Sequence, residues 1–258
     1  MAQIDGVLLD VDGVLTVSWE PLPGAVETLA WLRAHEFPFR LVTNTTTHTR
    51  AALAETLSDA GLHVAPNEIV TAVVATARYL MKAHPGATVF LLSDGSARAD
   101  LEGVRLVDAG ATADVVVIGG AFEGFDYPTM NRVFRMLMDG ASLVAMHRNL
   151  YWRTTDGWQL DGGAYVAGLE EAAGTRAVVC GKPAEAHFAA ALAELGVRAD
   201  RAAMVGDDMV NDVLGAQAAG LMGVLMRSGK FHEQDLVSGA PDVELRSIAE
   251  LPNLLASS

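Results

Sequence analysis

Cysteine is nearly absent from this chain. Its 258 residues include a single one, Cys180, so no disulfide can form within the chain. Long hydrophobic runs are also absent: no stretch approaches the roughly 18 apolar residues that read as a membrane span, and the first run, residues 7–9, is interrupted at once by Asp10. A secretory signal would need a longer run behind a basic start. We therefore expect a protein of the reducing cytoplasm that binds no membrane.

Basic residues are few. The chain carries 18 Lys and Arg against 32 Asp and Glu, a formal net charge of −14. Such a chain has no broad electrostatic attraction for nucleic acid. It can bind a small anion only where local cations outweigh the surrounding negative charge. The seven histidines lack the close spacing typical of zinc ligands, which argues against a zinc site.

Short apolar runs alternate with longer amphipathic segments over most of the chain. This pattern predicts an α/β fold whose strands form a mostly parallel sheet, covered on both faces by helices. The predicted strands are residues 7–9, 39–42, 88–92, 115–118, 143–146, 177–180, 202–205 and 222–226. The predicted helices are residues 24–36, 67–83, 127–139, 184–195 and 211–219.

The middle of the chain has the composition of an inserted domain. Pro85-Gly86 ends one long helical pattern, and Gly174-Thr175 precedes the predicted strand at residue 177. Between them the sequence is richer in aromatic and loop-like stretches, yet it keeps its own alternation of strands and helices. We expect a core formed by residues 1–84 and 177–258, interrupted by a smaller α/β domain at residues 85–176.

Polar residues follow four of the predicted strands directly. Each group alone has an ordinary explanation: an acidic turn, a helix cap or a solvated lysine. In a parallel sheet, however, the carboxyl ends of the strands meet at one edge, where ligands bind. That edge would collect three carboxylates, a hydroxyl and an ammonium, a set that suits Mg²⁺ and a phosphoryl group. The residues are Asp10, Asp12, Thr43, Lys182 and Asp207.

In this order the motifs resemble those of the haloacid dehalogenase superfamily of phosphohydrolases. They are Asp10-Val-Asp-Gly-Val, Thr43-Asn44, Gly181-Lys-Pro, and the stretch from Gly206 to Asp212. The resemblance implies a Rossmann-like core with a mobile cap. The long stretch between Thr43 and Lys182 is similar to the second cap class, C2, of the NagD-like subfamily IIA. Gly206-Asp-Asp and Ser228-Gly-Lys-Phe look most like phospholysine phosphohistidine inorganic pyrophosphate phosphatases and their relatives.

The resemblance also implies roles. Asp10 would attack phosphorus to form an aspartyl-phosphate, and Asp12 would act as general acid and then as general base. Mg²⁺ would be held by the Asp10 carboxylate, the Asp12 main-chain carbonyl and Asp207. An aspartate at position 12 is typical of phosphatases and phosphomutases rather than dehalogenases.

The remaining implied roles concern binding. Thr43, Asn44 and Lys182 would bind or orient the phosphoryl group, and Asp208 and Asp212 would be supporting acids. Specificity would lie in the cap, which closes over the site. The candidate cap residues are His147, Arg148, Asn149, Tyr151 and Arg153. The same stretch could equally be a cap surface or the contact of a homodimer.

We therefore expect a Mg²⁺-dependent phosphatase for small phosphorylated molecules: phosphoesters, with phosphoamides or pyrophosphate as further options. Two alternatives stay open, a phosphomutase and a non-catalytic module that binds a phosphorylated ligand or a partner. A dinucleotide-binding dehydrogenase is disfavoured because no Gly-x-Gly-x-x-Gly follows the first predicted strand.

Overall fold

The computed structural model describes residues 3–108, 110–154 and 157–257. Its strands are β1 (Gly6–Asp10), β2 (Thr16–Val17), β3 (Glu20–Pro21), β4 (Phe39–Thr43), β5 (Ile69–Thr71), β6 (Thr88–Leu92), β7 (Arg105–Val107), β8 (Val115–Ile118), β9 (Ser142–Ala145), β10 (Tyr151–Thr154), β11 (Gly157–Leu160), β12 (Val178–Val179), β13 (Ala202–Gly206), β14 (Met222–Met226) and β15 (Val243–Leu245). Its α-helices are α1 (Ala25–Ala34), α2 (Arg50–Asp59), α3 (Ala72–Ala83), α4 (Tyr127–Met138), α5 (Gly162–Ala173), α6 (Glu185–Leu195), α7 (Gly215–Ala218) and α8 (Leu251–Ala256).

The chain divides into two compact units. The first contains residues 1–43, 50–70 and 182–258, and the second contains residues 44–49 and 71–181. The second unit thus takes in α3 and the short segment after β4, beyond the predicted limits of residues 85–176. Those predicted limits stay a prediction.

The first unit is built on a six-stranded sheet in the order β15-β14-β13-β1-β4-β5. β1 pairs in parallel with β13 on one side and β4 on the other, and β13-β14 and β14-β15 are also parallel. The central strands β1, β13 and β14 are mostly apolar because both faces are covered. In β14, for example, Val224 and Met226 belong to the large core cluster that contains α1 and α8 residues, whereas Leu225 packs with Met209 and Val213.

The second unit has a sheet of its own, in the order β12-β9-β8-β6-β7, with parallel pairings. Its central strand β8 shows why the run is wholly apolar: Val115 and Val117 belong to one core cluster, and Val116 and Ile118 to another. Hairpins β2-β3 and β10-β11 are antiparallel. Two parallel sheets with helices confirm the predicted α/β class.

One predicted helix was wrong at its start. We expected a helix over residues 67–83, but Pro66–Glu68 form a 3₁₀ turn, Ile69–Thr71 form β5, and the helix begins at Ala72. Ile, Val and Thr are β-branched and fully buried here, which favours an extended strand. The Thr71 hydroxyl then accepts a hydrogen bond from the Val74 amide, 3.2 Å away, and caps α3.

No helix in the described part of the chain is both long and apolar enough to cross a membrane.

Candidate active site

Three neighbouring strands of the first unit end in polar residues. Asp10 is the last residue of β1, Thr43 is the last of β4, and Asp207 follows Gly206 at the end of β13. Because β13, β1 and β4 are adjacent and parallel, their carboxyl ends lie along the same edge of the sheet. The apolar strands thus place these polar groups together, as their positions in the sequence predicted.

The loop after β1 is held tightly against Asp207. The Gly13 amide donates to the Thr16 carbonyl at 2.7 Å, and Gly13 has a left-handed φ of +88°. A Cβ at this position would lie 2.0 Å from Asp207 Oδ2. Glycine is therefore required here both by the backbone conformation and by the close approach of the carboxylate.

Asp207 is fully buried. Its Oδ2 accepts a hydrogen bond of 2.6 Å from the Lys230 main-chain amide, whereas its Oδ1 has no hydrogen-bond partner among the described residues. Burial raises the pKa of Asp207 to about 6; the Lys230 amide opposes that rise, and the charge of Asp10 adds to it. A buried carboxylate oxygen without a donor is costly unless a cation satisfies it.

Lys182 supplies a buried positive charge. Its Nζ lies 2.6 Å from Asp10 Oδ1 and 2.7 Å from Asp212 Oδ1. Burial alone would lower the pKa of this lysine, but the charges of Asp10 and Asp212 outweigh burial and raise the pKa above its usual value. Lys182 is therefore charged at neutral pH, and its ammonium holds two carboxylates of the site.

The segment after Asp207 forms a π-helical turn, Met209–Leu214. Asp208 caps this turn: its carboxylate accepts from the amides of Val210 and Asn211 at 3.0 and 2.8 Å. Asp212, on the turn itself, points back to Lys182 and is buried. Burial raises the pKa of Asp212; the charge of Lys182 lowers this pKa, and the charge of Asp10 raises it further. The two predicted supporting acids thus differ in their contacts: Asp208 caps the π-helical turn, whereas Asp212 contacts Lys182.

Three carboxylates form a cluster that suits a hard divalent cation. One oxygen each from Asp10, Asp207 and Asp212 lies within 4.8 Å of the other two. The three negative charges repel one another, the Lys182 ammonium offsets them only in part, and Asp207 Oδ1 has no donor among the described residues. Carboxylate oxygens are the ligands that Mg²⁺ prefers. The predicted carboxylate pair, Asp10 and Asp207, lies in this cluster, and Asp212 joins it.

Asp12 differs from the buried acids because the residue is exposed. Its carboxyl still loses hydration to the surrounding protein, which raises its pKa. The charge of Asp10 raises that pKa further, while Lys230 and Lys182 lower it. A carboxyl with a raised pKa keeps its proton more readily and can donate it. The predicted metal contact of Asp12 is through its main-chain carbonyl and stays a prediction.

The two predicted phosphate-binding residues beside the β4 end fall in different units. Thr43 is buried at the end of β4 in the first unit. Asn44 begins the segment that belongs to the second unit, where its Oδ1 lies 2.7 Å from the place that a Cβ on Gly181 would occupy. Their predicted binding roles stay predictions.

The predicted cap residues lie after β9 in the second unit. His147 is buried; its Nδ1 accepts from the Asn149 amide at 3.3 Å, and its Nε2 lies 3.5 Å from Asp161 Oδ1. Burial lowers the pKa of His147, and Asp161 opposes this. Tyr151, like Asn149, is exposed, and the side chain of Arg153 lies outside the described residues.

Arg148 has a structural partner that the sequence did not reveal. Its guanidinium donates to both carboxylate oxygens of Glu170 at 2.8 and 2.5 Å. Glu170 is buried, so this two-point ion pair compensates its charge within the second unit. The predicted contact of Arg148 with substrate stays a prediction, and it would have to compete with this pair.

Sequence comparisons agree with the motifs and the geometry. Residues 7–106 match the family described as haloacid dehalogenase-like hydrolase, and residues 179–251 match the one described as HAD-hydrolase-like. Haloacid dehalogenase-like hydrolase domain-containing protein 2 of Homo sapiens is 38% identical over 232 residues, 90% of this chain and 87% of that protein. The chain belongs to the haloacid dehalogenase-like hydrolase family.

Further relatives place this haloacid dehalogenase-like hydrolase among the NagD-like phosphatases of subfamily IIA. Human phospholysine phosphohistidine inorganic pyrophosphate phosphatase is 35% identical over 241 residues, 91% of this chain and 87% of that protein. The p-nitrophenyl phosphatase from Archaeoglobus fulgidus superposes with a TM-score of 0.90 at 29% identity, covering 98% of this chain and 100% of that one. NagD from E. coli superposes with a TM-score of 0.88 at 27% identity, covering 96% of this chain and 98% of that one. The chain is thus an enzyme of the phosphatase type, as the motifs predicted.

Proposed function

We propose that this hydrolase is a Mg²⁺-dependent phosphatase that transfers the phosphoryl group of a small molecule first to Asp10 and then to water. The observation that carries the proposal is the cluster of Asp10, Asp207 and Asp212 around the buried Lys182. It combines a nucleophile, oxygen ligands for a cation and an ammonium at one sheet edge, the set that phosphoryl transfer needs.

Asp10 is the nucleophile. Its Oδ1 is held by Lys182, which fixes the carboxylate and leaves its other oxygen to attack phosphorus. In the first step a bond forms between Asp10 and phosphorus while the bond from phosphorus to the leaving oxygen breaks. Lys182 keeps its proton in this setting, so its charge also stabilises the negative charge of the transferring group.

Asp12 moves the protons. With its raised pKa it gives a proton to the leaving oxygen in the first step, so the product departs as a neutral alcohol or its equivalent. In the second step the Asp12 carboxylate takes a proton from the water that attacks the aspartyl-phosphate. The bond between Asp10 and phosphorus then breaks, and the enzyme returns to its starting state with inorganic phosphate released.

Asp10 and Asp207 would hold Mg²⁺, together with the Asp12 main-chain carbonyl, and Asp212 supports them from the cluster. When bound, Mg²⁺ would supply positive charge at the phosphoryl group and would relieve the repulsion among the carboxylates. Thr43 and Asn44 orient the phosphoryl group from the strand β4 end. Asp208 acts through the π-helical turn that it caps, because this turn carries Asp212.

The substrates are small phosphorylated molecules, in line with the p-nitrophenyl phosphatase and pyrophosphate phosphatase relatives. The cap that the family resemblance implies, predicted at residues 85–176, would select among them. The first candidates for that role are His147, Arg148, Asn149, Tyr151 and Arg153. The expected cytoplasmic location and the homodimer through the cap stay predictions.

The proposal is tested by phosphate release from a panel of phosphoesters, phosphoamino acids and pyrophosphate, with Mg²⁺ and with excess chelator. We expect release that requires Mg²⁺ and resumes when Mg²⁺ is restored. Isomerised product without free phosphate would indicate a phosphomutase. A folded protein that releases phosphate from no compound in the panel would contradict the proposal and favour a binding module.

A further inference from the structure

The loop after β14 is hydrogen-bonded to two strand ends of the site. The Ser228 hydroxyl donates to the Gly13 carbonyl at 2.5 Å, and the Lys230 main-chain amide donates to Asp207 Oδ2 at 2.6 Å. Gly229 lies between these two bonds with a left-handed φ of +56°. Because Gly13 belongs to the loop after β1 and Asp207 follows β13, residues 228–230 connect the ends of two neighbouring strands.

The contact at Gly229 is as close as the one at Gly13. A Cβ on Gly229 would lie 2.1 Å from Asp207 Oδ2 and 2.5 Å from Gly13 Cα. Asp207 Oδ2 is therefore enclosed by the main chain of both loops. Its other oxygen, Oδ1, is buried without a hydrogen-bond partner among the described residues, so the enclosure leaves Oδ1 to contact a cation.

Ser228 also restrains the most flexible point of the catalytic loop. Gly13 lacks a Cβ, so the peptide groups on its two sides can rotate with little steric cost. The Gly13 amide is held by the Thr16 carbonyl at 2.7 Å, and the Gly13 carbonyl is held by Ser228. The peptide between Asp12 and Gly13 is trans, so the Asp12 carbonyl points away from the Gly13 N–H. The hydrogen bonds on both sides of Gly13 therefore set the direction of the Asp12 carbonyl.

We propose, on the basis of the phosphatase function above, that Ser228 is a positioning residue of the metal site. Its hydroxyl and the loop that it begins hold the Asp12 carbonyl and the Asp207 carboxylate in the arrangement that binds Mg²⁺. These two groups come from different strands, and ligands that are fixed before binding lose less conformational freedom when the cation arrives. Ser228 acts through these residues and has no role in contacting substrate.

The test is calorimetric titration with Mg²⁺, without substrate, of the wild type, Ser228→Ala and Ser228→Thr. Ser228→Ala removes the hydroxyl and adds no bulk. We expect its Kd for Mg²⁺ to rise roughly 3- to 10-fold, the scale of one neutral hydrogen bond. Ser228→Thr keeps a hydroxyl and should restore most of the affinity.

Ser257→Ala is the matched control. The Ser257 hydroxyl also donates to a main-chain carbonyl, that of Asn253 at 2.8 Å, at the end of α8. Its removal should leave the Kd for Mg²⁺ unchanged. Gly229→Ala is a stronger perturbation, because its Cβ would press directly on Asp207, and it should weaken Mg²⁺ binding more than Ser228→Ala does. Gly61→Ala, whose Cβ would meet no atom within 4 Å, should not weaken it.

A kinetic measurement complements the titration. The Mg²⁺ concentration that gives half-maximal phosphate release should rise in Ser228→Ala by the same factor as Kd, and it should stay at the wild-type value in Ser257→Ala. A merely structural role of the Ser228 hydroxyl would lower the stability of both variants and change neither quantity.

The outcomes separate the two proposals. If the wild type binds Mg²⁺ and Ser228→Ala binds it with the same Kd, or Ser257→Ala weakens binding equally, the positioning role is wrong while the phosphatase function stands. If the wild type neither binds Mg²⁺ nor releases phosphate from any compound of the panel, the phosphatase proposal fails and the positioning role fails with it.

Discussion

Gly13 offers a sharp test of how closely the site is packed. Two glycines of the first unit have nearly the same left-handed backbone, Gly13 with φ +88° and Gly61 with φ +87°. A Cβ on Gly61 would meet no atom within 4 Å, whereas a Cβ on Gly13 would lie 2.0 Å from Asp207 Oδ2. The pair Gly13→Ala and Gly61→Ala therefore separates backbone strain from the collision with Asp207.

The expected magnitudes follow from these two geometries. An alanine in the left-handed region costs about 1–2 kcal/mol, and this is the whole effect expected at Gly61. At Gly13, forced overpacking adds about 1–3 kcal/mol. The contact must also lengthen from 2.0 Å to more than 3 Å, so Asp207 or the loop has to move by about 1 Å. A misplacement of that size in an active site costs roughly 100-fold in rate.

The assay is urea unfolding of both variants, combined with kcat/KM for phosphate release in Mg²⁺. Gly61→Ala should lose stability but keep wild-type kcat/KM when assayed folded. Gly13→Ala should lose more stability and roughly 100-fold in kcat/KM. Equal stabilities together with unchanged activity of Gly13→Ala would refute the close packing of Asp207 on the loop.

Two further predictions concern charge. Mg²⁺ at about 100 times its Kd should stabilise the wild type by about 2.7 kcal/mol, which is measured as a rise in Tm. Asp207→Asn should lose most of this rise, whereas the control Asp59→Asn, which removes an exposed carboxylate at the end of α2, should keep it. Equal rises in Tm for the two variants would contradict the metal assignment. Arg148→Ala should destabilise the protein at pH 7 by about 1–3 kcal/mol because it removes two charged hydrogen bonds from the buried Glu170 carboxylate, which keeps the Ala177 amide at 2.8 Å and Arg176 at 3.6 Å. Hydrogen bonding to Arg148 lowers the pKa of Glu170, so this stabilisation is complete above the pH range in which a free glutamate titrates and disappears as pH falls through the lowered pKa. The difference in Tm between wild type and Arg148→Ala should therefore narrow in acid, and a difference independent of pH would contradict the role of the pair.

Much of the site could be predicted because it depends on a simple rule. Apolar strands that are buried on both faces are visible as short runs, and the polar residues that follow them must share the edge of the sheet. Asp10, Thr43 and Asp207 were found in this way. The stretch Ser228-Gly-Lys-Phe supported the family resemblance, but the hydrogen bond from the Lys230 main-chain amide to Asp207 could not be predicted, because a main-chain donor has no residue type to mark it.

What could not be predicted depends on local geometry without a clear sequence pattern. Residues 69–71 are too short a run to separate a strand from the start of a helix by periodicity. The β2-β3 hairpin turns at Ser18 and Trp19, which have φ values of +52° and +67°, and the usual glycine or asparagine signal is missing. Asp212 joins the carboxylate cluster because a π-helical turn carries it there, and such a turn has no recognisable spacing.

The central claim is that Asp10 receives the phosphoryl group, and this can be tested directly. The measurement is acid quenching of the enzyme during turnover in Mg²⁺, followed by mass spectrometry of its peptides, with phosphate release recorded in parallel. We predict a phosphorylated peptide that contains Asp10 in the wild type and in the control Asp59→Asn. In folded Asp10→Asn we predict neither this peptide nor turnover. Phosphate release by Asp10→Asn at a rate near that of the wild type would contradict the account.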